Sequence, residues 1–217
     1  MTNKKAVLFD LDGTLINSLP DISACMNQAL EMHGLPTHPI GAYCYFTGDG
    51  AVNLTRRAVG EAHAELAEAV FRDYRMLYAE HCNDTSHVYE GIPALLNGLR
   101  KEGLRLAVLS NKDDRDVASV VGHYFPDDLF EIIRGRRPEV PIKPDPAAAL
   151  QIAADMGLSP DAFWYLGDTP TDLKTCRNAG MHFIAAGWGF RTEAELREAG
   201  ALCVAATPLD ALELMRE

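Results

Sequence analysis

The chain contains short runs that are apolar at almost every position: Ala6 to Phe9, Leu104 to Leu109, Phe163 to Leu166 and Phe183 to Ala186. Runs of four to six residues with at most one charged position fit strands covered on both faces, as in a parallel sheet, and do not fit half-solvated strands, which alternate. Fainter runs of the same kind lie at Phe130 to Ile133 and Leu202 to Ala205. Helical patterns fill the gaps. Pro93 to Glu102 stops at Gly103, Pro146 to Met156 stops at Gly157, and Thr171 to Ala179 stops at Gly180, each glycine standing where a left-handed helix cap is wanted. Strand and helix in alternation with short connections predict an α/β fold with a Rossmann-like, doubly wound parallel sheet.

From about Asn17 to Asn83 the pattern is helical only. Ile22, Met26, Ala29 and Leu30 share one helical face, and Leu66, Val70, Tyr74, Leu77 and His81 share another. The expected organisation is therefore a core of residues 1–16 and 84–217, interrupted by an all-helical segment of residues 17–83. At 217 residues there is room for both.

Charge and cysteine content narrow the functional classes. Twenty basic against 31 acidic side chains give a net charge of −11, which disfavours nucleic acid and anionic membrane as partners. No apolar run approaches the roughly 18 residues of a membrane span, and the start of the chain does not read as a secretory leader. The five cysteines and seven histidines show no ligand spacing. These features lead to the expectation of a cytoplasmic protein with reduced thiols; oligomeric state is left open.

Four polar clusters stand at or soon after the expected strand ends, where open α/β sheets bind ligands. They are Asp10-Leu11-Asp12-Gly13-Thr14, Ser110-Asn111-Lys112, Lys143-Pro144-Asp145-Pro146 and Gly167-Asp168-Thr169-Pro170-Thr171-Asp172. Singly, each has an ordinary explanation. Asp-Gly makes tight turns, Ser110-Asn111 suits a helix cap, Lys143-Pro144 suits a surface lysine before a helix, and Gly167-Asp168 suits a turn or cap. Together and in this order they form the parts of a phosphoryl-transfer site. Asp10 can attack phosphorus as a carboxylate nucleophile. Asp168 with Asp10 can hold Mg²⁺ through hard oxygen donors, overcoming repulsion between the nucleophile and a phosphate dianion. Asp12 can protonate the leaving oxygen and later deprotonate water. Ser110, with backbone N–H groups near Asn111, and Lys143 can hold the phosphoryl oxygens.

These clusters resemble the four motifs of the haloacid dehalogenase-like hydrolases, and within them the phosphoglycolate phosphatases and their close relatives. The resemblance implies a helical cap inserted after the first motif. It implies Asp10 as nucleophile, Asp12 as general acid/base, and Mg²⁺ held by Asp10, the Asp12 carbonyl and Asp168. It assigns Ser110, Asn111 and Lys143 to the phosphate, and Asp172 to the outer shell of the metal or to orienting Lys143. Dehalogenating members lack an equivalent of Asp12, so its presence points to phosphate esters. Ser110 stands where Thr is common, and Thr169 where Ser is usual.

Phe46-Thr47-Gly48-Asp49-Gly50 resembles the cap loop of these relatives, which makes Gly48, Asp49 and Gly50 candidate substrate contacts. Asp49 sits awkwardly beside an anionic substrate, and Arg134, Arg136 and Arg137 are candidates to offset it. Trp188, in Gly187-Trp188-Gly189-Phe190-Arg191, is read as packing. The expected substrate is a small phosphorylated metabolite, with 2-phosphoglycolate the first to try. A sugar-phosphate mutase, an inorganic pyrophosphatase and a non-catalytic phosphate-binding protein are the competing readings.

Overall fold

The structure is a computed structural model and describes residues 4–216; the first three residues and the last of the expected core lie outside them. In chain order the strands are β1 (Ala6–Phe9), β2 (Ile16–Asn17), β3 (His87–Val88), β4 (Arg105–Asp113), β5 (Ile132–Arg136), β6 (Phe163–Gly167), β7 (His182–Ala186) and β8 (Val204–Ala205). The helices are α1 (Leu19–Met32), α2 (Ile40–Phe46), α3 (Ala51–Val59), α4 (Ala67–His81), α5 (Ile92–Lys101), α6 (Asp114–Tyr124), α7 (Ala147–Asp155), α8 (Pro170–Ala179), α9 (Glu193–Glu198) and α10 (Pro208–Arg216). The chain divides into two compact units. One joins the residues up to Ile16 with those from Val88 onward; the other is Asn17–His87.

The first unit holds a six-stranded sheet of order β5-β4-β1-β6-β7-β8, parallel at every pairing. All four residues of β1 are fully buried, which is what its uninterrupted apolar run requires of a central strand. Ala6 and Leu8 pack with Ala149, Ile152, Phe163 and Tyr165 on one side of the sheet. Val7 and Phe9 alternate to the other, where the Phe9 ring meets Phe130 edge-on at 6.2 Å. Because β1 lies between β4 and β6, the chain leaves it toward opposite sides of the sheet. The C-terminal end of β1 is therefore a topological switch point, and the polar clusters gather there.

β4 is longer than its apolar run. It continues through Ser110, Asn111 and Lys112 to Asp113, with its register against β5 shifting between Leu109 and Asp113. Ser110 and Asn111 thus lie within a distorted strand, and α6 is preceded by Asp113, with no side-chain cap.

The second unit is helical, as its periodicity predicts. Ile22, Met26, Ala29 and Leu30 are buried on α1. The buried stripe of α4 differs from the expected one: it runs through Val70, Tyr74 and Tyr78, with Cys82 beyond the helix, while His81 is exposed and bonds Asp84. Tyr74 and Tyr78 stack at 5.5 Å, a spacing of four that carries the stripe past Leu77. The unit ends four residues later than the sequence suggests. Buried Asp21, in the first turn of α1, accepts hydrogen bonds from the backbone of Thr85 and Ser86, at 2.9 Å each, and from the Thr85 hydroxyl. One carboxylate so fastens the last segment of the unit to its first helix.

Candidate active site

β1 and β6 are neighbours with Phe9 opposite Leu166, so the residues that follow them emerge side by side. The Asp10 backbone N–H donates to Leu166 O at 2.9 Å. Asp168 follows the last residue of β6. From the next turn, Asp172 reaches back, and carboxylate oxygens of Asp10, Asp168 and Asp172 all lie within 4.8 Å of one another. All three side chains are buried.

Lys143 stands among these carboxylates. Its Nζ donates to Asp10 Oδ1 at 2.8 Å and to Asp172 Oδ1 at 2.7 Å, and it is 3% exposed. The loop that carries it, between β5 and α7, has no regular structure to aim it. Asn111 supplies the aim: its Nδ2 donates to Lys143 O at 3.0 Å, and its Oδ1 accepts from Lys143 N at 2.8 Å. The Asn111 side chain therefore grips the backbone of Lys143, a role its expected contact with phosphate did not suggest. Ser110 Oγ accepts from the Lys112 backbone N–H at 3.1 Å.

Asp172 serves two purposes at once. Thr169 and Asp172 form a reciprocal capping box on α8. Asp172 Oδ2 accepts from Thr169 N and Oγ1, while Oδ1 accepts from Lys143 and from Tyr165 OH at 3.2 Å. The cap reading of this cluster therefore holds, and the capping carboxylate is at the same time a partner of Lys143.

Asp168 is held by groups that sequence reasoning did not single out. Thr14 Oγ1 donates to its Oδ1 at 3.1 Å, and the Phe190 backbone N–H donates to its Oδ2 at 2.8 Å. Trp188 Nε1 donates to Thr14 O at 3.0 Å, so its ring packs and also fastens the first loop. Two glycines make room. A Cβ on Gly13, whose φ is +88°, would fall 2.2 Å from Asp168 Oδ2, and one on Gly189 would fall 2.3 Å from Asp168 Cβ. The only sequence sign of this crowding was the glycine spacing in Gly187-Trp188-Gly189.

Burial and the neighbouring Asp172 push the Asp10 carboxyl well above the usual range, with Lys143 pulling the other way. Burial and Asp172 likewise raise Asp168 to about 7. The Lys143 ammonium is held well above its ordinary value by Asp10 and Asp172, although burial opposes this. Three carboxylates against one ammonium leave two formal negative charges unbalanced in a buried cluster. Hard oxygen donors with a charge deficit of two match a small divalent cation. The cluster fits a metal.

Asp12 lies on the loop between β1 and β2, with its Oδ1 accepting from Lys112 Nζ at 2.7 Å. Arg134, Arg136 and Arg137 have acidic partners within their own unit. Arg134 pairs with Asp155, Arg136 with Asp113 and Arg137 with Asp114. Asp49 instead takes a two-pronged bond from Arg57 in its own unit, 2.5 Å at each prong, and Arg57 also donates to Phe46 O. Gly48 and Gly50 flank it at φ of +113° and +91°.

The model of the haloacid dehalogenase-like hydrolase family matches residues 7–186. The phosphoglycolate phosphatase of Pseudomonas putida is 34% identical, covering 87% of this chain and 71% of that protein. The phosphoglycolate phosphatase of Pasteurella multocida is 31% identical, covering 91% and 92%. The crystal structure of a proposed phosphoglycolate phosphatase from Lactobacillus delbrueckii subsp. bulgaricus aligns over 99% of both chains with a TM-score of 0.93 and 28% identity.

Proposed function

We propose a function from one premise: the chain belongs to the haloacid dehalogenase-like hydrolase family. It is a phosphatase, a phosphoric monoester hydrolase. The reaction proposed runs through an aspartyl phosphate on Asp10, and the proposed substrate is a small phosphorylated acid, with 2-phosphoglycolate first. The curated relatives' activity supports that choice.

The observation that carries the mechanism is Lys143, buried between Asp10 and Asp172 at 2.8 and 2.7 Å. An ammonium in that place draws a phosphate dianion toward the nucleophile and offsets part of the burial that disfavours ionised Asp10. Asp10 then attacks phosphorus, and Asp12 protonates the departing oxygen. In the second half Asp12 takes a proton from water as that water attacks the acyl phosphate. Ser110 and the backbone around Asn111 donate to the phosphoryl oxygens. Asp10, Asp168 and the Asp12 carbonyl would hold Mg²⁺, which supplies charge neutralisation of nucleophile and phosphate. Asp172 would keep Lys143 in place from behind. The Gly48-Asp49-Gly50 loop, braced by Arg57, is proposed to recognise the rest of the substrate.

Asp10→Asn is the direct test. It is expected to abolish Mg²⁺-dependent phosphate release, a loss of at least about 10³-fold, while the far-UV spectrum is unchanged. Full turnover in that variant would remove the mechanism. Phosphate release from 2-phosphoglycolate at a tenth or less of the rate with other alkyl phosphates would remove the substrate.

A further inference from the structure

Lys112 is not among the residues to which the motifs give a role, yet it is placed as firmly as those that have one. Its side chain is 9% exposed, and Nζ donates to Asp12 Oδ1 at 2.7 Å, Asp12 itself being 17% exposed. A lysine ordinarily keeps its ammonium in water and leaves a flexible stem to wander. Here the stem is anchored. The Lys112 backbone N–H donates to Ser110 Oγ, and the residue lies in the irregular stretch where β4 shifts register against β5. β4 and β1 are parallel neighbours with Phe9 opposite Val108, so the loop bearing Asp12 and the extension bearing Lys112 leave the sheet together.

The Asp12 loop is itself tightly wound. Gly13 N donates to Ile16 O at 2.8 Å, and Leu15 and Ile16 both donate to Leu11 O. This fixes the backbone of Asp12, and the orientation of its carboxylate depends on what its oxygens bond. Lys112, bonded to Oδ1, is a group in place to set that orientation.

We propose that Lys112 is a positioning residue for the phosphatase reaction. By holding Oδ1 of Asp12 it turns the carboxyl so that Oδ2 carries the proton to the leaving oxygen. The inference rests on the proposed phosphatase mechanism. In the step concerned, the bond between phosphorus and the leaving oxygen breaks while one to Asp10 forms. The proton of Asp12 passes to the leaving oxygen, and the alcohol departs. A misplaced Asp12 harms this step only when the leaving group needs a proton.

The test compares two esters through kcat/KM, which reports the steps up to phosphoryl transfer to Asp10. One is an alkyl phosphate such as 2-phosphoglycolate; the other is 2,4-dinitrophenyl phosphate, whose phenolate leaves unprotonated. Lys112→Met is expected to lower kcat/KM about 10- to 100-fold for the alkyl ester and less than about threefold for the activated one. Lys112→Arg, which retains a donor of the same charge, is expected to recover most of the loss. If Lys112→Met fails to fold, as read by thermal melting, Lys112→Gln carries the same comparison. Equal losses on both esters, or no loss on either, would overturn the positioning role while leaving the phosphatase reading intact. A wild-type protein inactive on both esters with Mg²⁺ would remove the two together.

Discussion

Around Asp168 the structure is crowded on every side. Gly13 and Gly189 approach so closely that any side chain there would displace the carboxylate, since the nearest atoms stand 2.2 and 2.3 Å from the added Cβ. Gly189→Ala is therefore expected to cost about 2 kcal/mol or more of stability and at least about tenfold in activity. Gly122, in α6, has nothing within 4 Å of an added Cβ and no positive φ. Gly122→Ala should leave activity unchanged and stabilise the fold by about 0.5–1 kcal/mol. Urea denaturation of the two variants checks both figures, and equal effects would refute the crowding. At this scale the sequence was only partly legible. Asp10 and Asp168 stand out because carboxylates are costly where buried apolar runs end, and Asp12 and Lys143 stand out through the polar clusters they belong to. The contacts that hold them did not stand out, because the Phe190 N–H that bonds Asp168 and the Lys143 N–H and carbonyl that Asn111 bonds are backbone groups, which residue type does not mark.

Among the elements, the strand ends and the loops behave differently. The apolar runs marked β1 and β6 to within a residue, because a strand buried on both faces leaves no position for a polar side chain. The β4 extension was hidden because Ser110 and Asn111, judged by residue type, read as a helix cap. The Asp49–Arg57 pair joins a loop to a helix eight residues on, a spacing outside the helical rules for neighbouring charges. The loop that carries Lys143 depends on Asn111, two buried hydrogen bonds at 2.8 and 3.0 Å between one side chain and one backbone unit. Asn111→Leu removes both and leaves the Lys143 N–H and C=O unpaired. The expected cost is about 2–4 kcal/mol in urea denaturation. A larger effect is expected on KM for the phosphate ester than on KM-independent folding probes, because Lys143 loses its aim. An unaltered KM in a folded Asn111→Leu protein would show that the loop holds Lys143 without it.

Across the whole molecule, the buried carboxylates set how stability responds to pH. Burial and Asp172 raise Asp168 to about 7 and raise Asp10 well above its ordinary value of 3.8. In the unfolded chain both would ionise near 3.8, so between there and about 7 the folded state retains protons that the unfolded state releases. Stability from these groups is complete below the unfolded value and is lost as pH rises toward the folded one. Without divalent cation, the melting temperature is expected to fall as pH rises from 5 to 8, by at least about 5 °C. A cation that binds the ionised cluster favours the folded, deprotonated form, so millimolar Mg²⁺ should recover most of the loss at pH 8 and little of it at pH 5. Asp168→Asn removes one of the titrating carboxylates and should flatten the pH profile measured in EDTA. It should also weaken the stabilisation by Mg²⁺ at pH 8. Calorimetric melts across this range, with EDTA or Mg²⁺, decide the matter. A profile in EDTA that rises from pH 5 to 8, or Mg²⁺ stabilisation that is equal at the two ends, would mean that Asp10 and Asp168 do not act together as a buried cation site.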